Sequence, residues 1–334
     1  MKPQIFDDQF IVITGAAGCI GSGVVRYLND KGLFNLILVD DLHQGEKWKN
    51  LQNKRFAHFI SRERLFDFLK GHKQEIEAFI HLGACSDITE TDGDYLIRNN
   101  YQFSINLAEY ALENEQRFIY ASSASTYGDG SLGFSDNETH LHSLCPLNLH
   151  AFSKHMFDLW LQEQKALDQV LGLKYFNIFG PNEKHKGHMA SMVMHMTDQI
   201  QKTGRVQIFQ STQSKRFKDE ESRYDFLYVK DAVKMTCFLL DHDINGIFNL
   251  GSGSAHSWNE MAKIIFRTLG KKPHIEYLPL PKNLEEQYQH CTCADMFKLN
   301  NELKKKNQQC IPDFTFESAI EDYVNNHLIK NKGW

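Results

Sequence analysis

Thr14-Gly15-Ala16-Ala17-Gly18-Cys19-Ile20-Gly21 is the most informative stretch of this chain. An apolar run, Phe10-Ile11-Val12-Ile13, precedes it, and a helical pattern over residues 22–31 follows. A second apolar run, Leu36-Ile37-Leu38-Val39, ends in Asp40. The order is strand, glycine turn, helix, strand, acid. In that order Gly15 permits a tight turn, Gly18 lets the backbone approach a pyrophosphate, and Gly21 lets the helix pack close to the sheet. The helix N-terminus presents free N–H groups and partial positive charge to the phosphates. Asp40 lies about 20 residues on, where an acid reaches an adenosine ribose. A glycine triplet alone is weak. Its agreement with both strands, the helix and the acid predicts a dinucleotide site, against the plainer reading of a glycine turn without a ligand.

The 334 residues suffice for a large core with a smaller lobe. With 42% hydrophobic and 24% charged residues, the composition is that of a soluble globular protein. A net charge of −5 gives no footprint for nucleic acid, so no such partner is expected. No apolar run approaches the ~20 residues of a membrane span, and residues 1–8 lack the apolar core of a signal peptide. The cysteines Cys19, Cys85, Cys145, Cys237, Cys291, Cys293 and Cys310 are odd in number and contain no C-x-x-C pair. They read as reduced thiols of a cytoplasmic protein.

Strand-like runs alternate with helical patterns along the first half. Ala78-Phe79-Ile80-His81 precedes the loop Leu82-Gly83-Ala84-Cys85-Ser86, and a helix is expected over 95–114. Arg117-Phe118-Ile119-Tyr120-Ala121 leads into Ser122-Ser123; a helix over 151–166 and a strand over 170–176 follow. This alternation predicts an α/β fold, a doubly wound parallel (Rossmann) sheet with a smaller, mixed C-terminal substrate lobe. Residues 1–180, with returning segments near 225–255, form the expected dinucleotide-binding domain; residues 181–334 are mainly the substrate lobe. There a helix is expected over 188–200, strands at 206–209 and 225–228, and a charged surface loop at 215–221. Ligands of such sheets sit beyond the carboxyl ends of strands, which selects residues 15–21, 82–86, 122–127 and 177–186.

Ser123 ends a strand facing the cofactor, and His150 and Lys154, four apart, share one face of the next helix. These elements resemble the extended short-chain dehydrogenase family, whose members set a serine or threonine and a Tyr-x-x-x-Lys pair beside a nicotinamide. The resemblance narrows to the ADP-glyceromanno-heptose 6-epimerases. It is carried by Ala121-Ser122-Ser123-Ala124-Ser125-Thr126-Tyr127-Gly128, Pro146-Leu147-Asn148, Tyr175-Phe176-Asn177-Ile178-Phe179-Gly180-Pro181 and His185-Lys186-Gly187-His188-Met189-Ala190-Ser191.

The resemblance implies a redox epimerase of lipopolysaccharide core synthesis. Hydride leaves the carbon bearing the heptose 6-hydroxyl and returns to its opposite face. An acid/base is then needed on each side of the carbonyl: the tyrosine of Tyr-x-x-x-Lys and the lysine of His-Lys-Gly, here Lys186. The implied catalytic set is Ser123, His150, Lys154 and Lys186, with the tyrosine position occupied by His150. A tyrosine of pKa about 10 needs a cationic neighbour to work near neutrality, whereas histidine already titrates near 6.5. Imidazole is shorter than phenol, so a water is one way to close the gap. Three readings of His150 stay open: a working substitute, a replacement that leaves binding without turnover, and an ordinary surface histidine. For Lys154 the plain alternative is a solvated helix lysine, and for Ser123 a turn-capping serine.

The implied cofactor set is Gly15, Gly18, Cys19, Ile20, Gly21, Asp40, Asp41, Lys47, Arg62, Leu82, Gly83, Ala84, Cys85, Ser86, Asn99, Lys154 and Ile178. Asp40 and Asp41 favour NAD; Lys47, with Arg62, matches the lysine these epimerases place on a 2′-phosphate. NADP is therefore expected, with NAD possible. The ADP-heptose would meet Ser123, Asn177, Lys186, His188, His195, Phe209, Gln210, Ser211, Thr212, Arg223 and Tyr288, together with Ala190 and Ser191. Tyr224 stands where the family has an arginine, and Arg223 beside it starts on the opposite strand face. His185, His188 and His195 have no carboxylate or cysteine at metal-ligand spacing, so no metal site is expected. The family forms homopentamers, which implies a homo-oligomer. The alternatives are another nucleotide-sugar epimerase or dehydratase, and a non-catalytic protein that binds cofactor and nucleotide sugar.

Overall fold

The computed structural model describes residues 9–210, 222–280, 289 and 291–334. Its main sheet contains β1 (Phe10–Thr14), β2 (Leu36–Val39), β3 (His58–Ile60), β4 (Ile76–His81), β5 (Arg117–Ser123), β6 (Val170–Tyr175) and β10 (Gly246–Leu250). These seven strands run in the order β10-β6-β5-β4-β1-β2-β3, with all pairings parallel. The chain builds outward from β1 to β3, then crosses back to β4 on the other side of β1. That reversal opens a crevice beyond the carboxyl ends of β1 and β4, where ligands of open α/β sheets bind. Thr14 pairs with His81, so the turns that follow at Gly15 and Leu82 lie side by side.

Alternation of side chains on each strand loads both faces of the sheet. Ile11, Ile13, Leu36 and Leu38 pack with α1 (Cys19–Asp30) and α7 (Val229–Leu240). Val12, Ile37, Val39 and Phe79 pack with α2 (Leu65–Leu69), α4 (Phe103–Glu113) and α5 (Leu149–Glu163). The helix expected from residue 22 begins at Cys19, because Gly18 itself is the N-cap and carries no side chain to cap it. At the start of α5, Asn148 Oδ1 accepts from Ala151 N at 2.9 Å, which begins the helix two residues before the expected start.

The helix expected over 95–114 is interrupted. It consists of α3 (Gly93–Leu96), a π-helical stretch Ile97–Gln102, and α4. Such π-turns concentrate at functional sites. A second departure from expectation lies in β6, an otherwise apolar run in which Lys174 is buried. Lys174 Nζ is 2.7 Å from Asp158 Oδ2 and 2.6 Å from Thr126 Oγ1. Asp158 also accepts from Tyr120 and Ser122 at 2.9 and 2.7 Å. The pair ties α5 to the ends of β5 and β6.

The C-terminal lobe is mixed. β7 (Asn177–Phe179), β9 (Arg223–Tyr228) and β11 (Ala255–Ser257) form a three-stranded sheet with one parallel and one antiparallel pairing. β8 (Val206–Phe209) pairs in parallel with β12 (Ile275–Leu278). The helix expected from residue 188 starts later, as α6 (Met192–Thr203), because Lys184–Met189 turns tightly around Gly187 at φ 57°. α8 (Trp258–Thr268) carries a capping box made by Ser257 and Glu260; α9 (Phe297–Lys305) and α10 (Phe316–Asp322) follow. The charged loop at 215–221 lies outside the described residues. Among those described, no helix is long and apolar enough to cross a membrane.

Candidate active site

The crevice is a cleft of about 660 Å³. Its floor is made by close backbone approach. Gly15 adopts φ 67°, and a Cβ there would lie 2.8 Å from Gly83 N. A Cβ at Gly21 would lie 2.1 Å from Gly15 O, so neither position admits a larger residue. The first turn of α1 points uncapped N–H groups into this floor, a donor set that fits a pyrophosphate. The residues therefore fit the dinucleotide expected from the glycine pattern.

At the ribose end, Asp40 Oδ2 accepts from Ala17 N at 2.8 Å, and Oδ1 is paired with Lys47. Arg62 Nε lies 3.6 Å from Asp41 Oδ2. Each acid there is matched by a cation. Gly15, Gly18, Cys19, Ile20, Gly21, Asp40, Asp41, Lys47 and Arg62 line the cleft on this side. Leu82, Gly83, Ala84, Cys85, Ser86, Asn99 and Ile178 line it as well.

Ser123, His150, Lys154 and Lys186 converge on the same cleft from β5, α5 and the Lys184–Met189 turn. His150 is 8% exposed, which removes the surface-histidine reading. Its Nδ1 lies 2.9 Å from Cys85 O. A carbonyl only accepts, so Nδ1 carries the proton and Nε2 keeps its lone pair. Burial pushes the imidazole down to about 4, aided by the Lys154 ammonium and opposed by the Cys85 carbonyl. Lys154 is buried, not solvated, and donates to Ala121 O at 2.8 Å. Burial pushes it down to about 8, against the raising effect of Asp158. Ser123 Oγ accepts from Ser125 N at 3.1 Å, so the serine caps the turn after β5 while it lines the cleft.

Of the expected substrate residues, Asn177 lines the cleft and donates to Asp225 O and Thr292 Oγ1, each at 3.0 Å. His188 is exposed, 3.7 Å from Asp87, and its carbonyl accepts from His195 Nε2 at 3.2 Å. Ala190 is buried, and Ser191 N donates to Glu183 at 2.9 Å. Phe209 is exposed at the end of β8, and Gln210 N donates to Leu278 O. Arg223 pairs with Glu260 at 3.4 Å, and Tyr224 is buried with its ring 5.0 Å from that of Trp258. Ser211, Thr212 and Tyr288 lie outside the described residues. The cleft also contains His185, within the selected stretch 177–186, Met189, and His43, Ile88, Tyr95 and Phe103, four residues that the sequence pattern did not single out. Tyr95 had a usable signal, one helical turn before Asn99. His185 is pushed down to about 4, chiefly by burial and then by Lys186 and Lys47. A larger cavity of about 750 Å³, lined by Phe226, His256, Glu260 and Phe316 among others, contains none of the four converging residues.

The chain matches the NAD dependent epimerase/dehydratase family over residues 11–251. It is 41% identical over 321 residues to the ADP-L-glycero-D-manno-heptose-6-epimerase of Nitratidesulfovibrio vulgaris, covering 95% of this chain and 97% of that one. The Fusobacterium nucleatum enzyme of the same name is 38% identical, with 97% and 99% covered. The crystal structure of the Helicobacter pylori ADP-L-glycero-D-manno-heptose-6-epimerase superposes with a TM-score of 0.78 at 25% identity, covering 98% of this chain and 99% of that chain. By glycine cradle, converging side chains and sequence together, the chain belongs to the NAD dependent epimerase/dehydratase family, and within it to the ADP-L-glycero-D-manno-heptose-6-epimerase branch.

Proposed function

We propose that the protein interconverts the C6 epimers of an ADP-glyceromanno-heptose for lipopolysaccharide core synthesis, with NADP as its cofactor. The observation that carries this reading is the convergence of Ser123, His150, Lys154 and Lys186 on a cleft floored by the Gly15 and Gly83 turns. When bound, the nicotinamide supplies hydride uptake and return, so the sugar leaves with no net oxidation. The chain's own groups handle the proton. His150 accepts the proton of the C6 hydroxyl at Nε2 as hydride leaves. Lys186 gives a proton to the oxygen when hydride returns to the other face, and a proton passing from His150 to Lys186 through solvent resets the pair. His150 is neutral at pH 7 and needs no cation to become a base, unlike a tyrosine of pKa about 10. Lys186 serves the other face, and Ser123 orients the oxygen. Lys154 lines the same cleft and adds to the burial that keeps the neighbouring imidazole uncharged.

NADP is favoured over NAD because Lys47 and Arg62 stand at the ribose end, where each neutralises one carboxylate. Denaturing the purified protein and identifying the released nucleotide tests this. We assign residues 1–180 and the returning segments near 225–255 to cofactor binding, and 181–334 mainly to the sugar nucleotide. A homo-oligomer in the cytoplasm completes the reading; light scattering on the purified protein reads the first part. The deciding experiment incubates the protein with ADP-D-glycero-D-manno-heptose and follows the second epimer by NMR, with His150→Tyr beside it. Conversion by the wild type supports the assignment. Binding without conversion by the wild type, with conversion by His150→Tyr, selects the alternative, a cofactor-bound protein that holds nucleotide sugar without turnover; no conversion by either counts against the heptose assignment.

A further inference from the structure

Asn100 lies in the π-helical stretch Ile97–Gln102 and is wholly buried. Its side chain grips both polar atoms of the Cys85 residue. Oδ1 accepts from Cys85 N at 2.8 Å, and Nδ2 donates to Cys85 O at 3.0 Å. Nδ2 also donates to Ser153 Oγ at 3.0 Å, and Ser153 donates to the His150 carbonyl at 2.7 Å. The carbonyl held by Asn100 is the one that accepts from His150 Nδ1. We infer that Asn100 is a positioning residue that aims the Cys85 carbonyl at His150 and so fixes which imidazole nitrogen carries the proton. The inference rests on the acid/base role proposed for His150.

The reasoning is a matter of donors and acceptors. A carbonyl facing Nδ1 demands Nδ1–H and leaves Nε2 as the base. If the loop turned its N–H there instead, Nδ1 would accept, Nε2 would carry the proton, and the ring would have no free lone pair for a hydroxyl. The Ser153 hydroxyl gives its proton to the His150 carbonyl and so must accept from Asn100 Nδ2, which fixes the amide with its donor towards the Cys85 carbonyl and its acceptor towards the Cys85 N–H. An aspartate matches the N–H but repels the carbonyl.

Asn100 is itself anchored to the cofactor turns. Gly83 N donates to Thr14 Oγ1 at 3.0 Å, and Thr14 Oγ1 lies 2.6 Å from His81 Nδ1. His81 Nε2 lies 2.8 Å from Ser104 Oγ, which donates to the Asn100 carbonyl. Since the serine proton goes to Asn100, the serine must accept from His81 Nε2–H, and Thr14 must donate to His81 Nδ1. Each donor then has one acceptor. The dinucleotide cradle and the His150 tautomer share one hydrogen-bonded frame.

The test is imidazole NMR of the holoenzyme labelled with ¹⁵N-histidine, with the His150 signals identified by their loss in His150→Gln. The wild type is expected to show the Nδ1–H tautomer. In Asn100→Asp and Asn100→Ser the Nε2–H form should become the major one. Epimerisation kcat should fall by about 30-fold or more, with KM within about 3-fold of the wild type. A wild type in the Nε2–H form overturns the inference without any variant. An unchanged tautomer in a variant that folds and retains cofactor also overturns it. A tautomer shift in the variants of a wild type that does not epimerise supports the positioning role and counts against the proposed function.

Discussion

The acid limb of the pH–rate profile discriminates between a buried base and an ordinary one. An exposed histidine titrates near 6.5, whereas His150 is pushed down to about 4 by burial and by Lys154. A base must be unprotonated in the free enzyme, so kcat/KM is lost as pH falls through its pKa. At pH 5 a base of pKa 4 is still about 90% active, whereas one of pKa 6.5 is about 3% active, a difference of about 30-fold. Lys154 is held near 8 by burial, but a neutral His150 needs no cation to act, so activity should stay level as pH rises through that value. The assay is NMR-detected conversion of ADP-heptose at closely spaced pH values, with far-UV circular dichroism to establish that the fold persists at pH 5. His150→Gln should lower kcat by 10²–10⁴, roughly the contribution of one general base. Lys154→Arg, which keeps a cation beside the imidazole, should leave the acid limb in place. An acid limb centred near 6.5 in folded enzyme would refute the claim that burial sets the state of His150.

Three further outcomes follow from the packing. Gly21→Ala places a methyl 2.1 Å from Gly15 O, so the purified variant should carry no nucleotide, while Gly93→Ala, which faces open space, should retain it. Lys174→Met leaves the buried carboxylate of Asp158 without its cation and should cost about 3–5 kcal/mol in urea unfolding; adding Asp158→Leu should recover part of that loss. Folding stability should fall on acidification. His81, pushed down to about 3 by burial and Lys154, and His150, at about 4, stay neutral in the fold while the unfolded chain takes up protons below 6.5. His185, also at about 4, adds a third proton, so stability should drop by about 4 kcal/mol per pH unit between roughly pH 6 and 4, and a flat profile there would contradict the buried neutral state of these rings.

The parts of the fold written in local pattern were legible in the sequence. Gly15, Gly18 and Gly21 do their work within one turn, and the apolar runs around them declare strands without reference to partners. The convergence of Ser123, His150, Lys154 and Lys186 was readable through the resemblance, since each sits in a motif at a strand end or first helical turn. The π-turn at Ile97–Gln102 was not legible, because its cause is tertiary: Asn100 is held by Cys85 and Ser153, which are remote in sequence. Lys174 was hidden in an apolar strand pattern, since its partner Asp158 lies on another element. At 223–224 the strand alternation correctly separated the two side chains, with Tyr224 inward and Arg223 on Glu260. The late start of α6 follows from the turn at Gly187, a position whose positive φ an apolar periodicity does not register.

In the proposed reaction hydrogen leaves C6 and returns to C6 within the cleft that His150 and Lys186 line. ADP-D-glycero-D-manno-heptose carrying deuterium at C6 tests it most directly, with product analysed by NMR after turnover in ordinary water. The expected product is the opposite epimer with deuterium retained at C6. Epimer carrying solvent hydrogen at C6, or no epimer from cofactor-loaded protein, would contradict the proposed reaction.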